Sequence, residues 1–474
     1  MMTNKTELTD GSIVKAIFKI FIPVLIANLL QTAYNITDTF WVGKLGSKAI
    51  ASVSLSFPIN FLLFSLVNGF ALAGSILVAQ YQGQKNKRMV NYISAQTITF
   101  SIIGSLFITL TGYFLTPYLM PLFTSDSYIL NNSTAYLRTI FLGSVFVFTF
   151  AVFNSLMRGV GTPKIPTRIF FISVLLNLVF DPLFINGSWI FPAMGVKGAA
   201  FVTILTQAVA SLIAFLFLCT KRGEIQLHFK DLKPNFNQMR RLVKIGYPAS
   251  LEQIARSFGG MLLIFLVSRF DSNVIAAYGI GMRLFSFVII PSFAFFVATS
   301  TLVGQNLGAG KKERAKKTTK VSMILAFLTL TIEGVLTFVF AEQIIGFFVS
   351  DQNVIQIGKI FVRLISFAFG FLGIQLIIEG AANGSGNTKL AMFFAFVSLF
   401  FVRLPLAYLL SLVFNLRELG IWLAFLIEIV SLSFVYMYVY NKRSDVWFSR
   451  KLTEEVVLES KTLEAVETID SEKD

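Results

Sequence analysis

Two acidic side chains lie inside apolar segments of this sequence. Asp38 follows the run IFKIFIPVLIANLLQTAY within NITDTFWVG, and Asp181 lies in VLLNLVFDPLF, with Asn177 four residues before it. Residues four apart share one face of a helix, so Asn177 and Asp181 are predicted to project together. An ionised Asp in hydrocarbon costs about 3 kcal/mol on insertion scales. Acidic residues kept inside a membrane at this cost are typical of ion and proton pathways, so Asp38 and Asp181 are candidates for binding a cation or a proton.

The surrounding segments have the composition of membrane helices. The chain has 474 residues, of which 55% are hydrophobic and 14% charged, against about 25% charged in soluble domains. Its mean hydropathy is +0.73. Apolar runs of 20 or more residues are long enough to cross a hydrocarbon core of about 30 Å, and such runs are helical. We predict an all-α integral membrane protein with twelve transmembrane helices in two six-helix lobes. The predicted helices lie at about 14–41, 48–80, 91–117, 130–157, 165–187, 194–220, 241–269, 275–305, 318–345, 354–382, 389–414 and 418–441.

The charged residues indicate how these helices are oriented. The formal net charge is +15, and the Lys and Arg residues concentrate in the connections after the second, fourth, sixth and eighth helices. The positive-inside rule then places these connections and both termini in the cytoplasm, in a multi-pass protein of the cell membrane. The basic runs are therefore interpreted as topology signals, and no nucleic-acid partner is expected. The first helix lacks a small-residue cleavage site and is predicted to be retained.

The two halves of the chain repeat one another. Pro23 and Pro248 are 225 positions apart, and so are Gly159 and Gly384, without a gap between these landmarks. Internal repeats of this kind are typical of secondary transporters, whose substrate and ion sites lie near the membrane midplane. The predicted domains are an N-terminal lobe (1–220), a basic cytoplasmic linker (221–244), a C-terminal lobe (245–445) and an acidic cytoplasmic tail (446–474), to which we assign no function.

The acidic residues do not follow the repeat. Leu263 occupies the position that corresponds to Asp38, and Leu404 corresponds to Asp181 when Pro182 and Pro405 are matched. The scaffold therefore does not require these carboxylates. The alternative to an ion-binding role is that Asp38 or Asp181 serves only as a structural hydrogen-bond partner. Asn177 and Thr203 could likewise serve to join helices.

Several motifs together resemble the multidrug and toxic compound extrusion (MATE) family, most closely its DinF-like branch. They are NITDTFWVG, RGVGTPKIPT, NLVFDPLF followed by GVKGAAFVT, and VAQYQGQKN with its echo VGQNLGAGKKERA. The resemblance covers roughly residues 10–445. It implies an N-lobe cation site, a supporting tyrosine, substrate-lining residues and a helix-one hinge. In this sequence these fall on Asp38, Asn177, Asp181 and Thr203 for the coupling ion (H⁺ or Na⁺), on Tyr136 for the supporting network, on Tyr34 and Asn154 for substrate, and on Pro23 for the hinge.

These residues lead to one hypothesis and several alternatives. We expect a monomeric, cation-coupled (H⁺ or Na⁺) antiporter that exports lipophilic, mostly cationic compounds and has no cofactor beyond the coupling ion. A lipid-linked oligosaccharide flippase of the same superfamily is the alternative, because Arg256, Arg283 and Arg403 could hold a pyrophosphate. An enzyme is not expected, since the sequence contains one His and one Cys and no recognisable catalytic constellation. In the C-terminal lobe, Glu252, Glu379 and Glu428 could form a second ion site, but Glu252 and Arg256 are one helical turn apart and are predicted to pair.

Overall fold

A computed structural model describes residues 8–187, 191–220 and 223–449. In this part of the chain, ten helices are long and apolar enough to cross a membrane. Two further pairs of helices meet the same test as bent spans, which brings the number to twelve when each pair is one span. The prediction of an all-α protein with twelve membrane spans is confirmed. The acidic tail beyond Ser449 and the basic residues Lys221 and Arg222 lie outside the described residues.

The helices are numbered in chain order. They are α1 (Ile13–Gly43), α2 (Ser47–Gly83), α3 (Lys87–Leu119), α4 (Ser127–Leu142), α5 (Ser144–Gly159), α6 (Lys164–Asn186), α7 (Gly195–Cys219), α8 (Phe236–Val267), α9 (Ser272–Gly308), α10 (Lys312–Val339), α11 (Ala341–Phe348), α12 (Gln352–Ser366), α13 (Phe369–Gly384), α14 (Thr388–Phe396), α15 (Leu404–Tyr408) and α16 (Arg417–Phe448).

Two predicted helices are each broken into a bent pair. The fourth, predicted at 130–157, consists of α4 and α5, which meet at an angle of 53°. The tenth, predicted at 354–382, consists of α12 and α13, which meet at 49°. The first bend falls at Gly143, where a side chain would come within 2.2 Å of Ile204. Glycine weakens the helix and permits this close approach, so hydropathy alone misses the bend.

Two other predicted boundaries are wrong, and one predicted helix is irregular inside. The ninth helix does not run to 345, because α10 ends at Val339 and the short α11 follows it. The last helix continues beyond 441 to Phe448. The eleventh span contains two π-helical stretches, Val397–Arg403 and Leu409–Val413, on either side of Pro405 in α15. Proline removes a backbone donor, which favours such irregular turns.

Two compact units are present, defined by the contacts within each. The N-terminal unit comprises Ile26–Val78 and Asn86–Ser250. The C-terminal unit comprises Met1–Leu25, Ala79–Lys85 and Leu251–Asp474, as far as these residues are described. The contact-defined units therefore differ from the predicted sequence lobes in the first parts of α1 and α8 and at the end of α2.

The first part of α1 belongs to the C-terminal unit because its apolar face packs on α9. Ile17 and Ile20 are fully buried there, and the ring centroid of Phe21 lies 4.1 Å from that of Phe295. The first part of α8 belongs to the N-terminal unit in the same way, where Ser250 Oγ donates to the Leu66 carbonyl at 3.1 Å. Each of these two helix segments therefore belongs to the unit against which it packs.

The segment predicted as a linker is largely folded into the N-terminal unit. Arg88 of α3 donates from both terminal nitrogens to the carboxylate of Asp231, at 2.5 and 2.8 Å. The side-chain amide of Gln96 donates to the carbonyl oxygens of Asp231 and Lys233, at 2.6 and 2.8 Å. Helix α8 then begins at Phe236, earlier than the predicted residue 241. The described linker is therefore held along α3 by hydrogen bonds.

The repeat seen in the sequence recurs as a repeat of contacts. In the N-terminal unit, Arg138 Nε donates to the Tyr113 carbonyl at 3.2 Å and the guanidinium lies 4.7 Å from that ring's centroid. In the C-terminal unit, Arg363 Nε donates to the Phe338 carbonyl at 3.3 Å and the guanidinium lies 5.0 Å from that ring's centroid. Both pairs of residues are related by the same offset of 225 as the prolines, so the two units share local geometry.

Candidate functional site

Helix α6 presents an amide and a carboxylate to the interior of the N-terminal unit. Asn177 and Asp181 are both fully buried, and Asn177 Nδ2 donates to Asp181 Oδ1 at 3.0 Å. This contact confirms the predicted placement of the two side chains on one helix face. Asn177 Oδ1 and Asp181 Oδ2 are buried and lack a hydrogen-bond partner among the described residues. Each of these two hydrogen-bonded side chains therefore keeps one buried oxygen that can accept a further bond.

Asp38 contributes a further carboxylate from α1. It is half-buried, and its Oδ1 atom is buried without a hydrogen-bond partner in the described part of the chain. Asp38 and Asp181 are close enough to interact electrostatically, and both interact with the hydroxyl of Tyr34. The structure therefore brings together the two carboxylates that are 143 positions apart in sequence.

Helix α7 supplies two threonine hydroxyl groups, which meet the hydroxyl of Tyr34 from α1. The Tyr34 hydroxyl lies 3.1 Å from Thr206 Oγ1 and also interacts with the side chain of Thr203. Thr206 Oγ1 lies 3.0 Å from the backbone oxygen of Thr203. The Tyr34 ring stacks on Phe170 of α6 with centroids 6.2 Å apart. Sequence reasoning missed Thr206, although its position one turn after Thr203 was a usable signal.

The other residues implied by the family resemblance occupy different surroundings. Tyr136 of α4 is buried in the core of the N-terminal unit and interacts electrostatically with Asp38 and Asp181. Asn154 is half-buried on α5. Pro23 is buried inside α1, which continues as one helix through it. Tyr34, for which the resemblance implies a substrate-lining role, is 5% exposed and bonded to Thr206.

The chemistry of the donor set suits a hard cation or a proton. Asp38, Asn177 and Asp181 each offer a buried oxygen without a hydrogen-bond partner in the described chain, and Thr203 adds a hydroxyl. Hard cations prefer oxygen ligands, and carboxylates can also accept a proton. No group of three or more His, Cys, Asp or Glu side chains that could hold a metal occurs in the described residues. The mixed set of acid, amide and hydroxyl oxygens therefore fits Na⁺ or H⁺ better than a transition metal.

The carboxylates of the C-terminal unit have a different environment. Arg256 Nη2 lies 3.2 Å from Glu252 Oε1, one turn earlier on α8, and 2.6 Å from Glu379 Oε2 on α13. Both glutamates are buried, whereas the Arg256 side chain is 35% exposed. The predicted pairing of Glu252 with Arg256 is present, and Glu379 shares the same guanidinium.

A second arginine pairs with Glu428, the third buried carboxylate in the described part of this unit. Arg403, at the end of the first π-helical stretch, donates to Glu428 Oε2 from Nε at 3.0 Å and from Nη2 at 2.6 Å. Ser398 donates its hydroxyl to the other oxygen of Glu428, and the Arg403 guanidinium lies 4.5 Å from the Phe425 centroid. Glu428 is fully buried and Arg403 is 14% exposed. Arg283, by contrast, is exposed on α9 and belongs to neither cluster.

Comparison with known proteins identifies the family. The MatE family model matches the chain twice, over residues 23–183 and 248–409, and the two matches begin at the repeated prolines. The probable multidrug resistance protein NorM of Thermotoga maritima is 29% identical over 418 residues, which cover 88% of this chain and 89% of the relative. The probable multidrug resistance protein YoeA of Bacillus subtilis is 26% identical over 430 residues, covering 89% and 93%.

A solved structure agrees with this assignment at the level of the fold. A MATE protein crystallised in complex with MaL6 superposes with a TM-score of 0.88 at 22% identity, over 95% of this chain and 100% of that chain. Because the family model matches more than half of the residues and does so once in each repeat, the chain belongs to the multidrug and toxic compound extrusion (MATE) family of membrane transporters.

Proposed function

We propose that the chain is an antiporter that exports lipophilic, mostly cationic drugs in exchange for H⁺ or Na⁺. The observation that carries this proposal is the pair of intramembrane acids Asp38 and Asp181, each with a buried oxygen that has no hydrogen-bond partner in the described residues. Intramembrane acids kept in this state are costly and are typical of ion and proton pathways. The names of the relatives support the export of drugs.

Drug export is coupled to ion movement because the drug and the ion compete for the negative charge of Asp38 and Asp181. With Asp38 and Asp181 ionised, the N-terminal unit attracts a cationic drug. A proton or a Na⁺ ion bound by these carboxylates, with the oxygens of Asn177 and Thr203, reduces that charge and weakens the attraction. An ion that binds one arrangement of helices better than another shifts the equilibrium between them. Pro23, which lacks a backbone N–H, is the proposed point at which α1 bends in response.

Aromatic side chains are proposed to give the substrate site its breadth. Phe57 and Phe64 of α2 are 66% and 47% exposed, and Phe57 lies 6.3 Å from Phe61 between centroids. Such rings can bind flat, lipophilic cations with little demand on shape. Phe285 is unsuited to this role, because it is buried in the core of the C-terminal unit and packs 6.2 Å from Phe369.

The flippase alternative is less well supported. A pyrophosphate would need cationic groups that are free to bind it. Arg256 is bonded to two glutamates and Arg403 to one, so neither guanidinium is free to hold a pyrophosphate. The acidic N-terminal unit would also repel a pyrophosphate.

Transport assays in everted vesicles test the proposal. Ethidium movement is measured under an imposed pH gradient and, separately, an imposed Na⁺ gradient, for the wild type, Asp38→Asn and Asp181→Asn. We expect both variants to lose most gradient-driven transport, because each removes a charge that the ion and the drug must exchange. The gradient that drives the wild type identifies the coupling ion.

The matched control is Asp126→Asn, which makes the same chemical change in the same unit but outside the membrane spans. Asp126 caps α4, and Asn can also cap a helix, so this variant should transport normally. If Asp38→Asn and Asp181→Asn both transport as well as the wild type and Asp126→Asn, the assigned ion site is wrong.

A further inference from the structure

A cavity of about 520 Å³ lies at the N-terminal ends of α1 and α10, both within the C-terminal unit. Its walls differ in character. Ile13, Val14 and Val321 form an apolar side, whereas Arg314 and Lys317 supply positive charge. The volume falls within the range of small-molecule sites. The cavity is therefore large enough for a ligand and is amphipathic.

The cavity spans the boundary between polar and apolar parts of α10. The basic residues at the start of this helix end at Lys320, and the apolar run begins at Val321. With 28 residues, α10 is longer than a hydrocarbon core of about 30 Å requires, so its first turns extend beyond that core. On α10, the apolar residue Val321 therefore lies nearer the hydrocarbon core than Arg314 and Lys317, which lie toward the lipid headgroups.

The positive charge in the cavity is held in a defined position. Arg314 Nη1 donates to the Gly11 carbonyl at 3.0 Å, and Nη2 donates to the Asp10 carbonyl at 3.1 Å. Its Nε atom is buried and has no hydrogen-bond partner among the described residues. Lys317 is exposed about one turn further along α10. A guanidinium held in place by two hydrogen bonds and an exposed ammonium about one turn away are a suitable combination for a phosphate group.

The acidic residue of the cavity does not cancel this charge. Glu313 lines the cavity, but its carboxylate lies 2.8 Å from the ammonium of Lys316. Asp10 beside the entrance is likewise bonded to Lys311 Nζ at 2.6 Å. Lys316 also pairs with Asp445 at 2.5 Å and so neutralises Glu313 only in part. Arg314 and Lys317 still outnumber Glu313 in the lining, and the cavity keeps a net positive charge.

We propose that this cavity binds an acidic phospholipid, with its phosphate on Arg314 and Lys317 and an acyl chain against Ile13, Val14 and Val321. A soluble phosphate would use the cationic wall but leave the apolar wall without a partner. An acidic lipid satisfies both walls, and basic residues at a membrane surface attract such lipids. The lipid joins the start of α1 to the start of α10, and so strengthens the contacts that Arg314 makes with the same segment.

The test uses the full chain in phosphatidylcholine nanodiscs that contain increasing fractions of phosphatidylglycerol. The thermal unfolding midpoint and native mass spectrometry both report bound lipid. We expect phosphatidylglycerol to raise the midpoint of the wild type and to stay bound in the spectrometer. Lys317→Gln should weaken its apparent affinity about fivefold, the effect of one surface cation. Lys312→Gln removes the same charge from the same helix outside the cavity and should behave as the wild type.

Two outcomes would overturn the proposal. If the two lysine variants lose affinity equally, or neither loses any, the lipid is not bound in this cavity. Inorganic phosphate and glycerol 3-phosphate at millimolar concentration are expected to leave phosphatidylglycerol bound. If either displaces it and raises the midpoint to the same extent, the site serves a soluble phosphate rather than a lipid.

Discussion

Asp38 and Asp181 of the N-terminal unit and the three buried glutamates of the C-terminal unit lie in opposite electrostatic settings. In the N-terminal unit, Asp38 and Asp181 keep buried oxygens without hydrogen-bond partners in the described chain. In the C-terminal unit, the buried carboxylates of the described residues are Glu252, Glu379 and Glu428, and each is bonded to an arginine. A buried acid with its own cation is already neutralised, whereas one without a cation must take up a proton or an ion from outside. The counter-charge, rather than burial, therefore distinguishes a candidate coupling site.

Because of the internal repeat, positions in the two units can be compared directly. At an offset of 225, Leu263 occupies the position that corresponds to Asp38, and Glu379 the position that corresponds to Asn154. The same scaffold thus carries acids at different positions in its two copies, while contacts such as those of Arg138 and Arg363 are kept. Exchange of a few side chains on a shared scaffold is enough to give one unit a free charge and the other an internal ion pair.

The largest effect on stability is expected for Arg256→Gln. This change leaves Glu252 and Glu379 buried without their cation, and breaking one side of a buried pair is destabilising by about 3–5 kcal/mol. Because the Arg256 side chain is 35% exposed, water screens part of the charge, and we expect about 3 kcal/mol. Thermal unfolding in detergent measures the loss. The triple variant that also carries Glu252→Gln and Glu379→Gln should recover much of it. A single variant as stable as the wild type would mean that the guanidinium does not stabilise these acids.

A smaller loss is expected for Glu428→Gln. Gln keeps an acceptor for Ser398 but loses the charge that Arg403 binds from two nitrogens. Hydrogen bonds to charged groups contribute about 1.5–3 kcal/mol, so the free energy of unfolding should fall by about 2 kcal/mol. Glu418→Gln, on the same helix and 27% exposed, is the matched control and should lose less than about 1 kcal/mol. Equal losses in the two variants would show that the buried ion pair has no special role.

In the N-terminal unit, by contrast, Asp38→Asn and Asp181→Asn should leave stability within about 1 kcal/mol of the wild type or raise it. Both changes remove a charge that has no internal cation, and the amide oxygen introduced by Asp181→Asn would still accept from Asn177. The same unfolding assay applies. A loss as large as that of Arg256→Gln would mean that the aspartates hold the fold together, and the contrast between the units would fail.

The smallest effect concerns the surface of the N-terminal unit. Lys48 Nζ lies 2.8 Å from Asp126 Oδ2, and this bond lowers the pKa of the Asp126 carboxyl. A lowered pKa means that the ionised form stabilises the fold above the usual range of Asp, and that this contribution is lost as the pH falls through the folded-state pKa. The unfolding midpoint of the wild type should therefore exceed that of Asp126→Asn slightly at neutral pH and meet it in acid. In a Lys48→Gln background, the effect of Asp126→Asn on the unfolding midpoint should be smaller. If the wild type still has the higher midpoint in acid, the ionised carboxyl of Asp126 is not the source of the stabilisation.

Some of the site could be predicted because its signals are local. Asn177 and Asp181 are four residues apart on one helix, and so are Glu252 and Arg256, which allowed both contacts to be anticipated. The contacts that were missed join distant segments. Tyr34 and Thr206 are 172 positions apart, and no spacing rule connects them.

The sequence by itself determined the membrane spans, the repeat and the positions of the intramembrane acids, because hydropathy, periodicity and residue type are properties of short segments. Tertiary structure alone decided the bends of α4–α5 and α12–α13 and the partner of each charge. Arg256 reaches Glu379 across 123 positions, while Asp181 has only an amide beside it as a hydrogen-bond partner among the described residues. Which side chains meet depends on how each helix is rotated and packed against its neighbours, and apolar faces of similar hydropathy permit many such rotations.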